Sequence, residues 1–333
     1  MAASSNPPSD TPSGPIIDII RHGQSLHSVE QAGTKLHDPG LTQAGIQDCK
    51  TLGEKYPFAD KVTDIFCSPL RRAIESAIYT FRPIVKDNLE LVLLPELQEI
   101  NDTPSSTGSP NEEIQKWCRE FGVGDNVDMS QLDENWQEKG PDSLYCPHPK
   151  EVERRALDVR EWLRDAAKDE YEKGNHDAHI VVVTHGEFAH WLTGDFAGVS
   201  YYRNSGWACT ELRSYRFEDL ESERHGNAPL KETQESRDAR RAGDAGTNKR
   251  ENELIKRVAT IRVQEYNREM HRRIQRKEDQ KTNQQEARRG EWVDELQVDP
   301  DEDEVDGYTS SLREEPMYME IVQNPRPRKR PRI

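Results

Sequence analysis

Short β-branched runs alternate with longer stretches of helical period along the first two thirds of this chain, and few folds accept that pattern. Ile16-Ile17-Asp18-Ile19-Ile20 reads as a strand, and residues 41–55, after the Asp38-Pro39-Gly40 turn, are helix-compatible. Asp64-Ile65-Phe66-Cys67 is a second strand; a helix starts near Ser68-Pro69, where serine can cap and proline suits the first turn. Residues 91–94 form a third strand. In residues 150–168, Val152, Ala156, Val159, Trp162 and Ala166 recur at helical spacing. A fourth strand at 179–184, a helix-like stretch from Glu187 and a last strand at 210–217 complete the series. The expected architecture is a three-layer α/β/α fold: an open, mostly parallel sheet with helices on both faces.

Charge and apolar content change abruptly near residue 220, which sets the expected domain at residues 14–220 after a disordered segment at 1–13. Residues 100–149 interrupt the alternation with Pro, Ser and Gly around Trp117 and Trp136. An insertion of that length is expected to be a cap over a pocket, since large aromatics suit packing better than a loose excursion. Residues 221–250 are polar and glycine-containing and read as a linker. Residues 251–290 hold 11 Lys and Arg against 7 Asp and Glu and favour a basic helix, with Ile255, Val258, Tyr266, Met270 and Ile274 near one stripe. Residues 291–323 carry 12 acids against Arg313 alone, and the chain closes on a basic cluster from Arg326 to Arg332, so residues 291–333 are expected to be a disordered acidic, then basic, tail.

The net charge of −16 argues against a generally basic nucleic-acid binder, and the acidic block would compete with nucleic acid for the basic tail. A mean hydropathy of −0.98 is too polar for one core running through every residue. Apolar runs such as residues 16–20 and 180–183 fall far short of the roughly 20 residues that cross a bilayer, and no export signal is expected at the start. Cys49, Cys67, Cys118, Cys146 and Cys209 lack metal or disulfide spacing and fit free thiols in a reducing compartment. A cytoplasmic or nuclear location is expected, with the terminal basic cluster a candidate import address for an import receptor.

Chemistry concentrates at three strand ends. The first strand delivers Arg21-His22-Gly23-Gln24-Ser25, the second Ser68-Pro69-Leu70-Arg71-Arg72-Ala73, and the fourth His185-Gly186. In open α/β sheets ligands bind at the carboxyl ends of strands, so these residues lie where a site is expected. Packing does not require the coincidence. Phosphate chemistry would use it: arginine offers forked donors to phosphate oxygens, and a histidine nitrogen can attack phosphorus. His37, His148, His176, His179 and His190 share no metal spacing and are expected to be structural or exposed. No nucleotide, dinucleotide or metal motif appears, so no cofactor and no metal are expected.

These segments resemble the histidine phosphatase superfamily, phosphoglycerate-mutase-like branch, whose members read R-H-G, S-x-L-x-R-A-x-x-T-A, L-x-E and H-G in that order. The counterparts are Arg21-His22-Gly23, residues 68–77, Leu97-Gln98-Glu99 and His185-Gly186, joined by a D-x-x-L-T-x-x-G stretch from Asp38 to Gly45. The resemblance spans residues 15–217 and is nearest to fungal phosphomutase-like proteins, which have R-H-G-Q and an L-Q-E segment followed by a Gly-Ser turn, here Gly108-Ser109. It implies a phosphoglycerate-mutase-like fold, His22 as nucleophile and phosphohistidine, Arg21, Arg72 and His185 on the phosphoryl oxygens, and Glu99 as general acid and then base. Ser28 stands where the family commonly has Asn and, with Gly186, completes the implied phosphate-binding set. Ser76 replaces the family's Thr and keeps a hydroxyl.

Ile100-Asn101-Asp102 after Glu99 is unlike the basic and aromatic sequence of true phosphoglycerate mutases. The implied activity is therefore metal-independent phosphomonoester hydrolysis, with a phosphomutase of the same fold or a non-catalytic phospholigand-binding protein as alternatives. The expected substrate is a small phosphorylated metabolite, with a phosphoprotein as the alternative; the tail would take protein partners. His27 is read equally as a rim residue or a solvent-facing loop histidine. Asp102 is a rival acid, Arg71 an ion-pair neighbour, and Arg154 and Arg155 are read as a solvated helix face.

Overall fold

The computed structural model describes residues 14–29, 35–87, 89–197, 199, 206–220 and 229–240, together with isolated helical positions between 256 and 282. Residues 1–267 and 268–333 form two compact units. The first holds a seven-stranded sheet in the order β4-β3-β2-β5-β1-β6-β7. Its strands are β1 (Ile16–Arg21), β2 (Val62–Cys67), β3 (Leu91–Leu93), β4 (Val127–Asp128), β5 (His179–Thr184), β6 (Leu212–Phe217) and β7 (Leu230–Glu232). β4, β3, β2, β5 and β1 run parallel, while β6 lies antiparallel to both β1 and β7.

The β-branched runs take the middle of the sheet because a parallel strand there is covered on both faces. All six residues of β5 are buried, whereas β6 alternates between buried and half-buried positions. Side-chain alternation separates two cores. Ile17, Ile19, Phe66, Val92, Ile180 and Val182 face one layer, covered by α5 (Pro149–Glu172) and α6 (Gly186–Thr193). Ile20, Ile65, Cys67, Leu91, Leu93, Val181 and Val183 face the other, covered by α3 (Arg71–Asp87) and the insertion's Trp136 and Tyr145. These are the three layers expected. The remaining helices are α1 (Leu26–Val29), α2 (Gln43–Lys55), α4 (Asn111–Glu120) and α7 (Gln234–Ala239).

One buried carboxylate sits inside the sheet. Asp18 accepts hydrogen bonds from Tyr56 OH (2.5 Å), His179 Nδ1 (2.7 Å) and Ser214 Oγ (2.5 Å), so its charge is fully partnered. His179 stacks on Phe58, which makes it structural, as its spacing suggested.

The structure departs from the expected boundaries in two places. Residues 230–239 fall in the stretch read as a linker, yet β7 pairs with β6 through Phe217 and Leu230, and Glu232 binds Ser236 and Arg240. One buried leucine and one partnered glutamate suffice to extend the sheet, a signal too small to stand out in a polar window. β4, formed within the insertion and only two residues long, was equally silent. In the segment expected to be a basic helix, positions 256, 257, 260 and 261 of the first unit and 268, 272, 276, 279 and 282 of the second are helical. Its expected stripe, the acidic stretch, the terminal basic cluster and residues 1–13 lie outside the described residues. Among the described residues no helix is long and apolar enough to cross a membrane.

Candidate functional site

Register places three strand ends side by side. Arg21 pairs with Thr184 and Cys67 with Val183, so the chain leaves β1, β5 and β2 at one edge through His22, His185 and Ser68. The His22 amide still donates to the Thr184 carbonyl (2.9 Å) and that of Ser68 to Val183 (2.9 Å), which extends the ladder one residue into the site. A rigid sheet therefore sets the spacing of both histidines.

His22 is buried, and its Nδ1 lies 2.7 Å from the Gly23 carbonyl, which can only accept. The proton is thereby assigned to Nδ1, leaving a lone pair on Nε2. Arg72 Nε donates to that Nε2 across 3.2 Å, while its Nη1 donates to the Ser105 carbonyl at 2.6 Å. Burial first, then Arg72 and Arg21, holds His22 well below the ordinary histidine range, so the ring is neutral. His185 is likewise buried and neutral, with burial the main cause and Arg72 next. Its ring centroid lies 5.1 Å from that of His22, and its Nε2 is 2.8 Å from Ser68 Oγ.

Two glycines let the His22 loop pack against its support. A Cβ on Gly23 would meet Gly45 O at 2.9 Å, and one on Gly45 would meet Gln24 O at 2.2 Å, so backbone rests on backbone. Thr42 caps α2 by accepting from the Gly45 amide. Ser76 Oγ accepts from the Gly23 amide (2.9 Å) and donates to the Arg72 carbonyl (2.6 Å), tying the loop of His22 to the helix of Arg72. Asp38, buried, accepts from the Arg71 amide (2.9 Å) at the start of α3 and from the Ser109 amide (3.1 Å). Arg21 Nη1 donates to the Trp207 carbonyl.

Arg21 Nε, His185 Nδ1 and His27 Nδ1 are buried without a hydrogen-bond partner among the described residues. His27 sits beside His22: its ring lies 5.9 Å from that of His22, and burial with Arg72 and Arg21 lowers it to about 3. The insertion reaches the same place, since the Ser105 carbonyl binds Arg72, and Trp136 is fully buried against Gly108. Glu99 follows the 3-10 turn Pro95–Leu97; it is half-buried and its Oε1 accepts from the Ile100 amide. Its charge acts on Arg72, which burial brings down to about 10.

The other expected residues stand at the margin of this group or outside it. Ser28 is exposed on α1, and its hydroxyl lies 3.4 Å from His27 Nε2. Gly186 opens α6 directly after His185. Arg71 pairs with Glu75 and lies over the Trp117 ring. Arg154 pairs with Glu151 and Asp158, as a helix face does, but Arg155 is completely buried. Sequence reasoning also passed over Lys139, a lone lysine in a polar stretch that proves to be buried beside Glu99. Among the described residues no three His, Cys, Asp or Glu side chains are grouped so as to hold a metal ion.

Residues 17–223 match the family model of the histidine phosphatase superfamily (branch 1). The 2,3-bisphosphoglycerate-dependent phosphoglycerate mutase of Bartonella henselae is 34% identical over 100 residues, which are 30% of this chain and 48% of that protein. The corresponding mutase of Bartonella quintana is 31% identical over 106 residues, 31% of this chain and 51% of that protein. The chain thus spans about half the length of the curated relatives it matches. Among solved structures, the ecdysone phosphate phosphatase of Bombix mori in complex with tungstate has 16% identity and a TM-score of 0.44, covering 66% of this chain and 92% of its own. A phosphoserine phosphatase mutant from Entamoeba histolytica in complex with phosphoserine has 20% identity and a TM-score of 0.37, covering 65% and 94%.

Proposed function

The chain belongs to the histidine phosphatase superfamily, branch 1, and from that premise we propose that it hydrolyses phosphomonoesters through a phosphohistidine on His22. The observation that carries the reading is the His22 ring itself: Nδ1–H is fixed on the Gly23 carbonyl, which leaves the unprotonated Nε2, now accepting from Arg72 Nε, as the nucleophilic nitrogen once that guanidinium turns to the phosphoryl oxygens. The Nε2 lone pair attacks phosphorus, the bond from phosphorus to the ester oxygen breaks, and the Glu99 carboxyl delivers a proton to that oxygen. In the second half, water attacks phosphorus, Glu99 takes the water's proton, and the P–N bond returns its electrons to Nε2.

Arg21 and Arg72 carry the charge of the transferring group; the unpartnered Arg21 Nε is a donor of the right kind for its oxygens, and so is His185 Nδ1 in the tautomer whose Nε2 accepts from the Ser68 hydroxyl. Protein side chains supply the cationic charge around the phosphoryl group, so the reaction is proposed to need no metal. The substrate class is a small phosphorylated metabolite, with a phosphoprotein as the alternative. Ser28, exposed beside His27, would touch the phosphate only through a rearranged α1.

A mutase is the second reading, favoured by identity to the Bartonella mutases over about half their length. Phosphate release from an aryl phosphate and a panel of phosphorylated metabolites, in EDTA, for the wild type and His22→Ala, separates the readings. Activity that survives EDTA and vanishes in His22→Ala supports hydrolysis. A folded wild type that releases nothing overturns it, and trapping a phosphorylated His22 then divides mutase from a binding protein.

A further inference from the structure

The loop around Glu99 has almost no regular hydrogen-bonding partners, and its carbonyls are taken instead by side chains. Arg155 Nη1 donates to the carbonyls of Glu96 (3.0 Å) and Gln98 (2.9 Å). Thr184 Oγ1 takes Leu97 O at 2.8 Å, one residue before His185. Lys139 Nζ donates to the carbonyls of Glu99 (2.8 Å) and Asn101 (2.9 Å). Five carbonyls between residues 96 and 101 are thus fixed from three elements: α5, the end of β5 and the insertion.

Two of those three anchors are long basic side chains withdrawn from water, an arrangement a fold does not need merely to satisfy carbonyls. Arg155 is fully buried, its guanidinium over the Phe188 ring at 5.0 Å. Lys139 is 8% exposed, and burial together with Arg155 and Arg72 holds it well below the ordinary lysine range, while Glu99 and Asp102 pull the other way. Neutral donors such as the Thr184 hydroxyl would have served for carbonyls alone. What Arg155 adds is a positive charge behind the loop of a carboxyl that must release and regain a proton, and bonds about twice as strong as neutral ones; what Lys139 adds is one nitrogen that reaches two carbonyls, those of Glu99 and Asn101, at once.

We propose that Lys139 and Arg155 are positioning residues for Glu99, holding its backbone on both sides so that the carboxyl meets the leaving oxygen. The inference rests on the reading of Glu99 as the general acid. It also gives the insertion a part in the chemistry, because Lys139 completes the loop that carries the acid. A misplacement of about 1 Å in such a group can cost about 10²-fold in rate.

The test is a leaving-group comparison on the full chain. Dinitrophenyl phosphate needs no proton on its departing oxygen, whereas an alkyl phosphate does, and kcat/KM reports the step that phosphorylates His22. Lys139→Met and Arg155→Lys are expected to lower kcat/KM for the alkyl phosphate by about tenfold or more, with dinitrophenyl phosphate held within about twofold. Glu99→Gln should give the same split more strongly. If Glu99→Gln slows both substrates alike, the acid assignment itself fails and the inference falls with it. If Glu99→Gln gives the split but the two variants slow both substrates equally, or neither, the acid stands and the positioning role is overturned. Should Lys139→Met not fold, Lys139→Gln, whose amide keeps two hydrogens, carries the same comparison.

Discussion

Arg72 Nε lies 3.2 Å from His22 Nε2, and Arg72 Nη1 simultaneously reaches the Ser105 carbonyl. One guanidinium thus orients the proposed nucleophile and anchors the insertion, with two donors at fixed separation that a lysine ammonium lacks. Arg72→Lys is expected to lower kcat/KM on an aryl phosphate by about 10²-fold or more. Arg71→Lys is its control: that side chain is half-exposed and pairs with Glu75, so its loss should change kcat/KM by less than about threefold. Equal losses in the two variants would remove Arg72 from its assigned place.

His22 and His185 stay neutral in the fold because burial, reinforced by Arg72, disfavours their charged forms. In the unfolded chain each takes up a proton near pH 6.5, so folding stability is fully present above that pH and is lost as pH falls below it. Each such histidine contributes a slope of about 1.4 kcal/mol per pH unit until its lowered folded value is reached. The raised carboxyls of Asp38, Asp64 and Glu96 act in the opposite sense, so the comparison has to be differential. Urea unfolding between pH 7 and 5 should therefore be less pH-dependent in His185→Gln than in the wild type. Parallel slopes would mean that His185 takes up its proton within the fold.

Sheet and site differ in how they were written into the sequence. Residues 16–20 and 179–184 announced their strands because a strand covered on both faces is mostly apolar, with Asp18 and His179 tolerated there as hydrogen-bond partners of each other. The triplet at Arg21 and the pair at His185 stood out because they end such strands. β7 escaped notice because pairing is a backbone matter, and one buried side chain, Leu230, left little trace among polar neighbours. Lys139 and Arg155 escaped for a different reason. Long basic side chains usually reach solvent, and only the tertiary packing of α5 and of the insertion against residues 96–101 turns these two inward. His27 was ambiguous because α1, a single turn, exposes Leu26, Ser28 and Val29 to solvent while turning His27 toward His22.

Ser76 makes one hydroxyl serve two elements, accepting from Gly23 and donating to the Arg72 carbonyl. Ser76→Ala leaves the Gly23 amide buried without an acceptor, at a cost of about 1–3 kcal/mol. The same change frees the His22 loop from α3, so kcat on an aryl phosphate should fall along with the urea midpoint. A variant with full activity and full stability would mean that the loop is held by its contact with Gly45 alone.

Gly108 lies under Trp136 so closely that a Cβ would come within 1.9 Å of the indole Cη2 and 2.7 Å of Cζ3. Trp136 cannot move away cheaply, because its Nε1 donates to Asn111 Oδ1 and its carbonyl accepts from Gln98 Nε2, next to Glu99. Gly108→Ala is therefore expected to overpack the insertion and destabilise the fold by about 1–3 kcal/mol, read as a lower urea midpoint. Because Ser109 donates to Asp38 and Ser105 accepts from Arg72, the strain should reach Arg72 and His22 as well. Activity in Gly108→Ala is expected to fall more than stability does: at low temperature, where the variant is fully folded, kcat/KM on an aryl phosphate should still lie below the wild type. Wild-type kinetics under those conditions would show that the insertion packs on the domain without bearing on the site.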